Sequence, residues 1–231
     1  MAESDRHRDQ LIDLLDPLRE RYRDRPDVYV TGNLFLYYKQ GDPTAKVAPD
    51  LMVVRGVPNR RRPSYLLWEE KKVPDLVIEV TSEGTKYEDL YAKRELYEEL
   101  GVKEYYLFDP LGEYLPEQRL GYHRAGRRLV AVKPKPRGGG LSSAVLGLDL
   151  VIVEGRLRLY DAKARRLLPL YADLEAARAQ ESAARAQAER ALAQEAEQRR
   201  RLEAEVARLR AAMEKSKGPS RPRPRPRRPL P

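Results

Sequence analysis

The chain has 231 residues, enough for one full-sized hydrophobic core with a segment to spare. It has no cysteine and only two histidines, His7 and His123, which excludes disulfides, thiolate zinc sites and histidine-rich metal centres; any metal has to be held by oxygen. Lys215, Lys217, Arg221, Arg223, Arg225, Arg227 and Arg228 supply seven of the nine net positive charges and leave +2 for residues 1–214, so the high isoelectric point belongs to the C-terminal end and says little about the partner of the folded part.

Residues 9–23 (DQLIDLLDPLRERYR) set Leu11, Leu14, Leu15 and Leu18 on one helical stripe, which predicts a short amphipathic helix that kinks or restarts at Pro17. From Val28 to about Asp161 the pattern turns strand-like, with runs such as VYV, NLFLYY, LMVV and LVIEV separated by Gly, Pro and Asn. A helix interrupts them over about residues 86–100, stopped by Gly101, and residues 104–109 (EYYLFD) return to strand. Strand, helix, strand at this spacing predicts a βαβ-like crossover and an α/β domain. Later segments have the pattern of antiparallel hairpins, with turns at 124–126 and 154–155 and a Lys-Pro/Gly loop at 133–140.

Neither Pro nor Gly occurs over residues 171–217, where Ala, Glu, Arg and Gln dominate, so one continuous helix of about 65 to 70 Å is expected. Leu202, Val206, Leu209 and Met213 have the 4-3-4 spacing of a coiled-coil seam, but the register traced backward meets Arg199, Glu195 and Arg185. Residues 218–231 alternate Arg and Pro with little to bury, the composition of a disordered basic tail. The expected organisation is therefore a domain over 1–170, a charged helix over 171–217 and a tail over 218–231. The polar start (MAESDRHRDQ) and the lack of a long apolar run lead to the expectation of a soluble, cytoplasmic protein with no membrane partner.

Charged residues where the pattern demands apolar ones carry the functional signal. Glu79 lies near the end of a strand apolar on both faces (PDLVIEV, 74–80); either it faces water from an edge, or it is buried and needs a cation. Asp50 opens the apolar run 51–54. Asp75 competes with it, but lies roughly 13 Å from Glu79 along one strand, too far to share an ion held at about 2.1 Å. On the helix, Leu90, Lys93, Tyr97 and Leu100 line one face, so Lys93 sits in the packing stripe and either snorkels to solvent or needs an anion. Two carboxylates holding Mg²⁺ beside an ammonium would satisfy all three groups at once. Asn33, Ser82 and Asp89 have the character of turn or cap residues, Tyr97 that of a core residue, and His123 falls in a hairpin with no role assigned.

In chain order, the segments 47–54 (VAPDLMVV), 65–69 (YLLWE), 74–82 (PDLVIEVTS), Asp89 through Lys93, Tyr97, Gly101-Val102 and 104–110 (EYYLFDP) resemble the Uma-type putative restriction endonuclease family of the PD-(D/E)xK nuclease superfamily. The resemblance covers about residues 28–170 and includes the closing LRLYD at 157–161. It implies a restriction-endonuclease-like fold, a mixed central sheet flanked by helices, with Asp50 as the motif aspartate and Glu79 as the acidic residue of the E-x-K element. Thr81 stands where that element's lysine would be; family members tend to carry the lysine on the following helix, where Lys93 matches. Glu70-Lys71-Lys72 also spells E-x-K, but in a charged stretch with no strand expected before it.

The expected activity is metal-dependent phosphodiester hydrolysis of DNA, with Mg²⁺, or Mn²⁺ as substitute, bound by Asp50 and Glu79, and with Asp50, Glu79 and Lys93 as the catalytic set. A homodimer formed through the nuclease domain or the C-terminal helix is the second expected association. The competing reading is a catalytically silent protein of the same fold that serves as a DNA-binding or oligomerising scaffold.

Overall fold

Segments that are apolar on both faces have to lie inside a sheet, and in the computed structural model, which describes residues 5–136 and 139–216, two of them form its centre. The elements in chain order are α1 (Asp5–Arg21), β1 (Val28–Thr31), β2 (Leu36–Tyr37), β3 (Lys46–Val47), β4 (Leu51–Arg55), β5 (Tyr65–Leu66), α2 (Leu67–Glu70), β6 (Leu76–Val80), a π-helical segment (Glu88–Lys93), α3 (Arg94–Leu100) and β7 (Glu104–Phe108). They continue with β8 (Arg119–Ala125), β9 (Arg128–Ala131), β10 (Leu141–Ser143), β11 (Leu148–Val153), β12 (Arg156–Asp161), β13 (Arg166–Leu167) and α4 (Tyr171–Ser216). The main sheet has the order β1-β4-β6-β7-β8-β9; the sheet β3-β2-β5 is made of strands that fall between its first three in the chain, and the sheet β10-β11-β12-β13 follows it. β6 and β7 run parallel, which is the expected crossover; the other pairs of the main sheet are antiparallel.

The alternation of strand side chains divides the core in two. Leu51, Val53, Leu76, Ile78 and Val80 pack with Leu11, Leu14 and Leu18 of α1 and with Leu150, Leu157 and Leu159 of the second sheet. Met52, Val54 and Val77 face the other way, toward Tyr97 of α3, Tyr105 and Tyr65. Gly101 ends α3 in the left-handed conformation (φ 95°), as its position in the sequence requires. The hairpin turns fall where expected, β8 to β9 through Gly126 and β11 to β12 through Glu154 and Gly155.

Several sequence expectations need correction. α1 starts earlier than its apolar stripe and runs through Pro17 without a break, with Leu14 and Leu18 buried on either side of the proline. The NLFLYY run yields only the two-residue β2, because Asn33 turns the chain in the left-handed conformation (φ 51°) and Phe35 is exposed. Glu70 does follow a short strand, β5, through α2; its carboxylate pairs with the buried Arg62 at 2.6 Å. The 133–140 loop lies only partly within the described residues, and the tail expected over 218–231 lies outside them.

The chain separates into two compact units, residues 1–174 and 175–231. In the second, α4 is continuous to Ser216, its surface carrying the pairs Arg185 with Glu189, Arg199 with Glu203 and Arg201 with Glu197. Among the described residues no helix is long and apolar enough to cross a membrane.

Candidate active site

The register of two neighbouring strands creates the site. In the antiparallel pair of β4 and β6, Leu51 lies opposite Ile78 and Met52 opposite Val77. One step outward the same register sets Asp50 against Glu79, on the face of the sheet that Met52 and Val77 share with α3. Two hydrogen bonds fix the pair: the Val80 N–H donates to Asp50 Oδ2 at 2.8 Å, and the Asp50 N–H donates to Glu79 Oε2 at 3.3 Å. β6 lies between β4 and β7, so the edge-strand reading of Glu79 fails; its side chain is 0% exposed.

The helix after β6 supplies the cation. Lys93 Nζ donates to Glu79 Oε2 at 3.1 Å and lies 2.8 Å from Asp89 Oδ1, so Lys93 turns inward rather than snorkelling away. The Tyr97 hydroxyl donates to Glu79 Oε1 at 2.8 Å. On the Asp50 side, His7 Nε2 of α1 is 3.3 Å from Asp50 Oδ1. Thr81 is buried with its hydroxyl against that of Tyr114, and Asp75 is occupied at the opposite end of β6 by the Arg55 N–H and Lys103.

The structure thus brings Asp50, Glu79 and Lys93 together and adds three neighbours: Asp89 and Tyr97, to which sequence reasoning assigns only the character of a turn or cap residue and of a core residue, and His7, to which it assigns no role. Asp89 is buried and lies against Lys93, Tyr97 is a hydrogen-bond donor as well as core, and His7 lies upstream of the apolar stripe that marked α1.

The electrostatics are those of a site with too little positive charge. Burial pushes Glu79 up to about 8; Lys93 pulls it down, while Asp50 and Asp89 add to the rise. Burial likewise raises Asp89. Burial alone would lower Lys93, but Glu79 and Asp89 outweigh it and hold the ammonium above the ordinary lysine range. Glu79 and Asp89 therefore share one permanent cation, Lys93, while Asp50 lies against Glu79 with His7 beside it, and the buried Asp89 Oδ1, although close to Lys93, has no well-directed hydrogen bond.

A hard divalent cation fits this donor set, which offers carboxylate oxygens and surplus negative charge. Among the described residues no group of three or more acidic or imidazole side chains is placed to hold a metal ion; Asp50 and Glu79 are two carboxylates that could hold one with solvent or substrate completing the shell. That division is usual for Mg²⁺, which keeps several waters.

The comparisons with known proteins bear on the fold and the family. Among solved structures the chain is similar to a putative nuclease belonging to DUF820 from Anabaena variabilis, with a TM-score of 0.50, 13% sequence identity, and coverage of 65% of this chain and 80% of that one. At that identity the likeness shows the fold, which is nuclease-like: a mixed sheet flanked by helices. No curated protein matches the chain in sequence. The Uma2 family model, described as putative restriction endonuclease, matches residues 1–152, a span that includes both strands of the carboxylate pair, the lysine helix and His7, and the chain belongs to that family.

Proposed function

We propose that the protein is a divalent-metal-dependent endonuclease that hydrolyses phosphodiester bonds of DNA. Family and fold support nuclease activity; the observation that carries the finer reading is the register pair of Asp50 and Glu79 with the Lys93 ammonium held 3.1 Å from Glu79.

In this reading Asp50 and Glu79 hold Mg²⁺, for which Mn²⁺ substitutes, and the bound ion supplies Lewis-acid polarisation of the phosphodiester. The Val80 N–H and the Tyr97 hydroxyl fix the orientation of the two carboxylates. Lys93, 15% exposed at its side chain, neutralises Glu79 and reaches the solvent side of the cluster, where it donates to a phosphate oxygen as negative charge develops. Asp89 holds the ammonium in place from the neighbouring turn, and His7 braces Asp50. The buried rings of Tyr97 and Tyr105 close the inner wall and keep water from Glu79.

Cleavage of plasmid DNA under titration with Mg²⁺ or Mn²⁺ tests the assignment. Wild type should cleave only with metal, and Asp50→Ala should lose at least about a hundredfold in rate. Equal cleavage by both proteins would place the activity elsewhere.

A further inference from the structure

Exposed aromatic rings with a lysine over them occur twice in the fold, each time on a segment tied to the carboxylate pair. Tyr87 and Tyr91 are 70% and 56% exposed, although tyrosines on packed helices ordinarily bury their rings. Their planes are within 15° of parallel, with centroids 6.5 Å apart, and Lys86 Nζ lies 5.5 Å from the Tyr87 centroid. They belong to the turns that carry Asp89 and Lys93 inward, so only the thickness of one helix separates them from the acidic cluster.

The second pair lies on β2 and the residue before it, beside the strand that leads into Asp50. Phe35 is 48% exposed with Tyr37 beside it at 6.2 Å, and Lys46 Nζ lies 4.7 Å from the Phe35 centroid. β2 pairs with β3, which leads directly into Pro49 and Asp50, and the Asn33 N–H donates to the Pro49 carbonyl at 2.9 Å.

We infer that these two patches bind unpaired bases, and that the substrate of this site is nucleic acid with single-stranded character next to the scissile phosphate. The inference rests on the nuclease reading and narrows it. Solvent-exposed rings with an ammonium over one of them match a single strand, whose bases stack on rings while its phosphates meet the cations. A paired duplex keeps its bases stacked on one another and offers such rings nothing to stack on. Neither patch has a packing duty that would explain its exposure, and both carry the charge that complements a phosphate.

Binding measured without cleavage tests this. The full chain is titrated, with chelator present and at about 0.2 M salt so that purely ionic contacts are weakened, against a fluorescent 20-residue oligothymidylate, a blunt 20-base-pair duplex and a 20-unit abasic strand. The double variant Tyr87→Ala with Tyr91→Ala, and separately Phe35→Ala, should each lose about tenfold or more on the oligothymidylate while changing less than about twofold on the duplex and the abasic strand. Tyr87→Phe with Tyr91→Phe should bind as wild type. Unchanged affinity of the alanine variants for the oligothymidylate, or an equal loss on the abasic strand, overturns the inference. Ring-dependent binding without metal-dependent cleavage would leave the inference standing and bring down the nuclease reading; cleavage indifferent to the rings would do the reverse.

Discussion

A carboxylate with no exposed surface is informative because its ionised form costs several kcal/mol unless something offsets it. Glu79 receives three donors, Lys93, the Tyr97 hydroxyl and the Asp50 N–H, but it also faces the carboxylates of Asp50 and Asp89, and the balance leaves it protonated well above the ordinary carboxylate range. The consequence for stability has a definite sign. Below the usual carboxylate value of 4.5 the folded and unfolded chains both hold the proton, and the full contribution is present. As pH rises toward 8 the unfolded chain releases that proton before the folded one, so metal-free protein loses stability across this window. Glu79→Gln, neutral and of the same shape, removes the dependence. In chelator its melting temperature should exceed that of wild type at pH 8.5 and approach it at pH 5. A difference between the two proteins that stays constant with pH would show that Glu79 is ionised throughout. At this scale the sequence was legible wherever a charge interrupted an apolar strand, as for Asp50 and Glu79. It was mute for His7, which lies in a polar turn with no hydrophobic pattern to contradict.

Among the elements, the helix between β6 and β7 departs most from its sequence pattern, and the departure bears on the site. Leu90, Lys93, Tyr97 and Leu100 predict a regular α-helical face, and Tyr97 does bury itself in the core. Residues 88–93 are π-helical, however, and a wider turn brings residues four apart nearer to alignment, so Asp89 comes into line with Lys93. Asp89 and Lys93, four apart, share a face at α-helical period as well; it was the residue type of Asp89, common in turns and caps, that hid its part in the site. The partnership alters what should follow from removing the lysine. Lys93→Met keeps much of the stem's volume, and for a lone buried ammonium it would be harmless or stabilising; here it strands Glu79 and Asp89 as buried acids without a counter-charge. The variant should lose cleavage and, in chelator, about 3 kcal/mol of stability at pH 8, with a smaller loss at pH 5 where Glu79 is protonated. A melting temperature equal to wild type at both values would show that the ammonium contributes nothing to the cluster, while normal cleavage would remove it from the catalytic set.

For the whole molecule, the α/β order, the crossover and the late hairpins could be derived from period and punctuation. The division into three sheets could not, since strands of two residues such as β2, β3 and β5 are shorter than any periodicity can register. The second compact unit raises a separate question of assembly. α4 exposes Leu202, Val206, Leu209 and Met213 at 46% to 64%, all on the predicted seam, whereas the backward register offers Arg199 and Glu195, which are poor knobs for a coiled coil. Two apolar heptads bury little surface, so any self-association through this seam should be weak and dependent on concentration. The strongly basic end of the chain would contact phosphates without reading bases, and affinity gained that way falls steeply as salt rises. A protein ending at Leu174, the limit of the first compact unit, separates these effects from the site. It should retain metal-dependent cleavage and a melting temperature within a few degrees of the full chain, yet bind duplex DNA several-fold more weakly at about 50 mM salt and nearly equally at about 300 mM. Sedimentation of both proteins reads the other half of the question. If the full chain shows a concentration-dependent dimer and the shortened one a monomer, α4 is the association element; if both sediment as the same species, the seam drives no assembly, and a dimer present in both would have to form through the nuclease domain.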